Sequence, residues 1–157
     1  MKKINNILYA GIFVKEDNFD KLFNTVETKE DVRKIEHPHV TLFFRDNVSL
    51  EIMQYTLSHN EETDFKITVD GVGSNDKAIA LHVSKVVDKD GNEVSSMNKV
   101  KHITLYLLND GKPVDSNSIK DWNPIEPITF EGYSRIIYKR NDKKVISKDT
   151  CDGGSNE

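Results

Sequence analysis

The order of apolar and polar positions divides the chain into short elements. Ile7 to Val14 is an almost unbroken run of β-branched, aromatic and small residues, the pattern of a first, central, buried strand. Phe19, Leu22, Phe23 and Val26 then recur at helical spacing behind Asp17-Asn18, a plausible cap, and predict a helix of about three turns. Pro38 ends any helix, and His39 to Arg45 reads as a strand. Ser49 opens a second helical or turn-like piece through Leu57. Asp64 to Asp70 and Lys77 to Lys85 alternate as two strands of a hairpin, joined by the glycine-rich stretch 71–76. Val87 to Asn98 contains Asp90-Gly91-Asn92 and reads as a loop or short ribbon. Lys101 to Leu108 is another strand, ended by Asn109-Asp110-Gly111. Pro113 to Pro127 reads as irregular, with a short helix around Ser118 to Asp121, and Ile128 to Lys139 as the last strand. Together these predict an α+β domain over 1–140, mostly antiparallel with few helices, and a polar, disordered tail over 141–157.

Composition narrows the function classes. At 157 residues, with 36% apolar and 31% charged positions, the chain has material for one core. A net charge of −4 argues against a broad basic face for duplex DNA. A nucleic-acid substrate would therefore be small or gripped locally. Cys151 is the single cysteine, so no disulfide can form within the chain, which fits a reducing compartment. Met1-Lys2-Lys3 and the apolar run after it superficially suggest a signal peptide. The run is short, however, and Lys15-Glu16-Asp17 follows with no small-residue cleavage pattern. No stretch is long enough to span a membrane. The expected location is the cytoplasm.

Candidate chemistry lies in an internal echo. His39-Val40-Thr41-Leu42-Phe43-Phe44-Arg45-Asp46 overlays His102-Ile103-Thr104-Leu105-Tyr106-Leu107-Leu108-Asn109 as His, β-branched, Thr, Leu, aromatic, apolar, any, Asp or Asn. Strand alternation puts His39, Thr41 and Phe43 on one face, and His102, Thr104 and Tyr106 on one face. Val40, Leu42 and Phe44 then point to the core, as do Ile103, Leu105 and Leu107. If the strands are close, two imidazoles and two hydroxyls converge. Imidazoles titrate near neutrality and can take and give protons, while threonine hydroxyls can hold the oxygens of a phosphate. No metal or other cofactor is required by that chemistry.

Two His-apolar-Thr-apolar motifs on separate strands resemble the two-histidine (2H) phosphoesterase superfamily, over Leu8 to about Tyr138. The resemblance implies a bilobal, pseudo-symmetric fold of mostly antiparallel sheets around a central cleft. It assigns catalytic roles to His39, Thr41, His102 and Thr104. It also implies a metal-independent phosphodiesterase acting on a small nucleotide or an RNA end: a 2′,3′-cyclic phosphate, a 2′,5′-linked oligonucleotide or a cyclic-oligonucleotide signal. The last would make it a viral counter-defence enzyme in the host cytoplasm. The opening strand resembles that of such proteins, where an aromatic residue reaches the substrate, here Tyr9. The alternative is a module that sequesters a nucleotide or RNA end without turnover.

Other residues are weaker candidates. Arg45 shares the His39 face if alternation persists and could meet a phosphate. Trp122, in Asp121-Trp122-Asn123-Pro124, reads as a loop residue that could stack on a base or close the core. Phe43 and Tyr106 are candidate base-stacking rings. His82-Val83-Ser84 lacks the Thr-Leu-aromatic continuation and reads as ordinary sheet. His37-Pro38-His39 invites a zinc reading, but no further ligands stand at suitable spacing. Oligomeric state is not legible.

Overall fold

The computed structural model describes residues 6–28 and 31–139; the expected tail, Cys151 included, lies outside them. Among the described residues the elements are β1 (Ile7–Val14), α1 (Phe19–Phe23), β2 (Val32–Lys34), β3 (His39–Phe44), α2 (Leu50–Ser58), β4 (Phe65–Ser74), β5 (Ala78–Val87), β6 (His102–Leu108) and β7 (Trp122–Tyr138). Short 3-10 segments cover Glu16–Asn18 and Pro113–Ser118. Among the described residues no helix is long and apolar enough to cross a membrane.

All strand pairings are antiparallel. The order is β2-β6-β3-β1-β7-β4-β5, and β5 also pairs with β6, so six strands close into a barrel with β2 as an added strand on β6. Closure removes the exposed edges that an open sheet would leave. The α+β, mostly antiparallel, helix-poor expectation is met by this single closed sheet. Its interior is filled by one side of each strand: Ala10, Ile12, Val40, Phe65, Ile67, Val69, Leu81, Val83, Ile103 and Phe130 are all buried. α1 adds Leu22 and Phe23 to this core, and α2 adds Met53.

Several elements differ from the sequence expectation for local reasons. The first helix is one turn and a half rather than about three turns. Its cap residue Asn24 bonds back to Asp20, and Thr25 turns its hydroxyl onto the Leu22 carbonyl instead of continuing the ladder. α2 forms as expected, with the Ser49 hydroxyl accepting from the Ile52 amide at 3.2 Å. The hairpin turn between β4 and β5 is tighter than the 71–76 stretch, because Gly71 and Gly73 lie within β4. Asn75 makes that turn, its side-chain oxygen accepting from the amides of Lys77 and Ala78. β7 begins at Trp122, so that residue stands in a strand and not in a loop. β2 has three residues and too little periodicity to be read from sequence.

Candidate active site

Residues opposite one another in adjacent strands share a face. Val40 pairs with Ile103, both in the core. Continuing that antiparallel register sets His39 opposite Thr104 and Thr41 opposite His102. The two motifs therefore meet crosswise on the side of the sheet turned away from the core. The four residues proposed from sequence are brought together by one strand pairing.

The histidines are anchored alike. His39 Nδ1 lies 3.0 Å from the His37 carbonyl oxygen, and His102 Nδ1 lies 2.9 Å from the Val100 carbonyl oxygen. A carbonyl only accepts, so each Nδ1 carries the proton and each Nε2 is the atom left for chemistry. In both motifs the anchor is the residue two positions before the histidine. Burial, opposed by this hydrogen bond and reinforced by nearby His102 and His37, lowers the His39 pKa to about 4. Burial also lowers the His102 pKa, with His82 adding to the effect.

His39 is held in an aromatic row. Its ring stacks on Phe13 at 4.6 Å and on Tyr9 at 5.1 Å; Tyr9 also stacks on Phe44 at 6.3 Å, and Phe13 on Tyr133 at 5.8 Å. Tyr9, expected to reach a base, thus forms one wall of the His39 seat. Gly11 forms its floor: a Cβ there would stand 2.8 Å from the Val40 carbonyl oxygen and 3.0 Å from His39 Cδ2. Thr104 is buried, and its hydroxyl lies 2.7 Å from that of Ser116, itself buried in the 3-10 segment. Thr41 is partly exposed, and its carbonyl accepts from the Ser96 hydroxyl.

Two expected site residues stand elsewhere. Leu42 is bulged out of the register between Gly11↔Thr41 and Ala10↔Phe43, and Leu105 out of that between Ala80↔Thr104 and Ile79↔Tyr106. A bulge inserts one residue and reverses the faces beyond it. Phe43 and Tyr106 therefore lie on the core side, Tyr106 with its hydroxyl donating to the Phe23 carbonyl oxygen. Phe44 takes the histidine face instead, next to Tyr9. Arg45, beyond the strand end with a positive φ of 54°, lays its guanidinium 5.0 Å from the Phe44 ring centre. The echo thus extends to the backbone, since both strands bulge at the leucine after the threonine.

Sequence reasoning missed Gly11, Ser116 and Arg135. Arg135 pairs with Gly11, as Thr41 does on the other side, so an exposed guanidinium shares the motif face one strand beyond β1. It also set aside His82, which pairs directly with His102 and whose Nδ1 lies 2.7 Å from Asp70 Oδ1. Trp122 packs edge-on against His82 with ring centres 5.3 Å apart. Only Gly11, a glycine inside an apolar strand, left a sequence signal, that of a close approach.

The His39 environment gives a stability prediction. Its folded pKa lies below the unfolded value, so the unfolded chain binds the extra proton first. Stability is then complete above about pH 6.5 and falls as pH drops toward 4. The full shift corresponds to about 3 kcal/mol; because His39 as a whole residue is half-buried, about 2 kcal/mol is expected. Urea unfolding at pH 7 and pH 4 is expected to show this loss in the wild type in excess of that in His39→Phe, which keeps the stack without the titration. Equal losses in the two proteins would refute the assignment.

No family model and no curated protein matches the sequence. The fold is similar to the crystal structure of a fungal RNA kinase, with a TM-score of 0.63 at 14% identity. The alignment covers 88% of this chain and 46% of that one, so this chain spans under half the length of that protein.

Proposed function

We propose that this protein is a phosphodiesterase of the two-histidine kind, acting on a nucleotide or an RNA end with His39 and His102 as its proton-transfer pair. The observation that carries the reading is the matched anchoring of the two imidazoles, each Nδ1 on the carbonyl two residues back, with a threonine opposite each histidine. Similarity to an RNA kinase in fold weights the substrate toward RNA ends. The motif echo, matched in the backbone by the paired bulges at Leu42 and Leu105, supports the likeness to the two-histidine superfamily.

The pair works in one step. Because the His39 pKa is held strongly down, the first proton shared by the two rings resides on His102. His39 Nε2 then removes a proton from the attacking oxygen as the new phosphorus–oxygen bond forms. His102 gives its Nε2 proton to the departing oxygen as the old bond breaks. In a 2′,3′-cyclic phosphate the attacking group is water and a ribose oxygen leaves. In an oligonucleotide the attacking group is a neighbouring 2′-hydroxyl. Thr41 and Thr104 donate to the non-bridging oxygens, and Ser116, by donating to Thr104, keeps the Thr104 proton directed at the phosphate.

A panel of 2′,3′-cyclic mononucleotides, 2′,5′-linked oligonucleotides and cyclic di- and trinucleotides, incubated in chelator, tests the reading. Turnover of at least one member is expected; a cyclic-oligonucleotide substrate would in addition support a counter-defence role. No turnover of any member would sink the enzymatic reading and leave a nucleotide-binding module. The pH profile follows from the role assignment. kcat/KM is expected to be bell-shaped, with an acid limb near pH 4 and a basic limb below 6.5, falling as pH rises and His102 loses its proton. A rate that climbs steadily from pH 5 to 9 would overturn that assignment.

A further inference from the structure

Beside the paired motifs, Asp70, Gly71, His82, Trp122 and Pro124 line an open pocket of about 210 Å³. Its place in the sheet is fixed by register. Gly71 on β4 pairs with His82 on β5, and His82 with His102 on β6. Trp122 pairs with Gly73, on the far side of β4's neighbour β5 from His102. The two strand steps from β6 to β4 put the pocket roughly 10 Å from His102, a span that a ribose and its base can cover.

The lining has a definite chemistry. His82 Nδ1 donates to the Asp70 carboxylate, leaving Nε2 as an acceptor. Both side chains keep about a third of their surface exposed, 32% for His82 and 38% for Asp70. Trp122 and His82 meet edge to face and form two walls, with the exposed Pro124 ring beside them. Glycine on β4 makes room for these rings. A Cβ at Gly73 would come within 2.6 Å of the indole, and one at Gly71 within 3.2 Å of His82 Cβ. The pair at the motifs uses none of these groups, yet they open on the same face.

We infer that this pocket is a nucleoside subsite, in which the base stacks on Trp122 and the ribose hydroxyl donates to His82 Nε2 held by Asp70. The inference deepens the phosphodiesterase reading and rests on it for the position of the scissile phosphate. It makes His82 and Trp122 substrate-binding residues and Asp70 a positioning residue that acts through His82.

Trp122 is the chain's single tryptophan, so its fluorescence reports the pocket without turnover. The probes are AMP, GMP, CMP and UMP, added to the His39→Ala protein, with inorganic phosphate as the comparison. Saturable quenching by at least one nucleotide and none by phosphate is expected. Loss of a hydrogen-bond partner to the ribose weakens such binding about tenfold. His82→Ala and the near-isosteric Asp70→Asn should therefore each raise the apparent Kd by about that factor. An emission unmoved by all four nucleotides overturns the subsite, and so does an Asp70→Asn protein that is folded and binds as the parent does. Turnover of the substrate panel without quenching would sink the subsite and spare the phosphodiesterase. Quenching without turnover in the wild type would spare the nucleoside site and sink the phosphodiesterase.

Discussion

His39→Ala and His102→Ala are each expected to lower turnover of the phosphodiester substrate by about 10²-fold or more. The reason is the coupling of two proton transfers to one event at phosphorus: removing either imidazole leaves the attacking oxygen with its proton or the departing oxygen without one. Neither Nδ1 can substitute, because each is committed to a backbone carbonyl. The double variant is expected to lose little more than either single one, since groups that act as a unit are far from additive. His59→Ala is the control. That ring lies at the end of α2, stacked on Tyr55 at 3.9 Å and hydrogen-bonded within that helix end, and the variant is expected to retain wild-type turnover. Initial rates on whichever panel member is cleaved decide the matter. Wild-type turnover from either motif variant would break the pairing.

The second large effect concerns a residue with no functional group. Gly11→Ala puts a methyl where the Val40 carbonyl oxygen and the His39 ring already stand, at 2.8 and 3.0 Å. A backbone oxygen in a paired strand cannot step aside, so β1 and β3 separate or the imidazole is pushed along its stack between Tyr9 and Phe13. Overpacking of this kind costs about 1–3 kcal/mol of stability. Misplacing a catalytic group by about 1 Å can cost about 10²-fold in rate. Chemical denaturation and kcat measured on the same preparation are expected to show both losses, with the far-UV spectrum retained. A Gly11→Ala protein as stable and as active as the wild type would show that His39 does not depend on this floor.

How far the site could be read from sequence depended on the range of the interaction involved. The pairing of His39 with Thr41, and of His102 with Thr104, follows from alternation within one strand, a local property. That the two strands are neighbours was suggested only by their echo; the single register pair Val40↔Ile103 is a contact across 63 positions of sequence, settled by barrel closure. The aromatic residues failed for a physical reason. Alternation carries Phe43 and Tyr106 to the histidine face only if the strand is regular, and a bulge at Leu42 and Leu105 reverses everything after it. Each bulge lets two successive large side chains, Leu-Phe and Leu-Tyr, enter the core, and burying both outweighs the regular ladder. Trp122 was expected in a loop because Asp121-Trp122-Asn123-Pro124 has turn chemistry, and two prolines, Pro124 and Pro127, follow it closely. β7 tolerates them where its one partner is β4, since a strand paired on one side does not need every amide.

The sequence by itself determined the strand-rich class and the two motifs with their paired imidazoles and hydroxyls, because residue type and local period are written along the chain. The tertiary structure alone decided which strands adjoin. It set Gly11 under His39, Ser116 against Thr104, and Asp70 with His82 beside His102. Those contacts join residues far apart in sequence, and they exist only once the sheet has closed and its bulges have fixed which face each side chain takes.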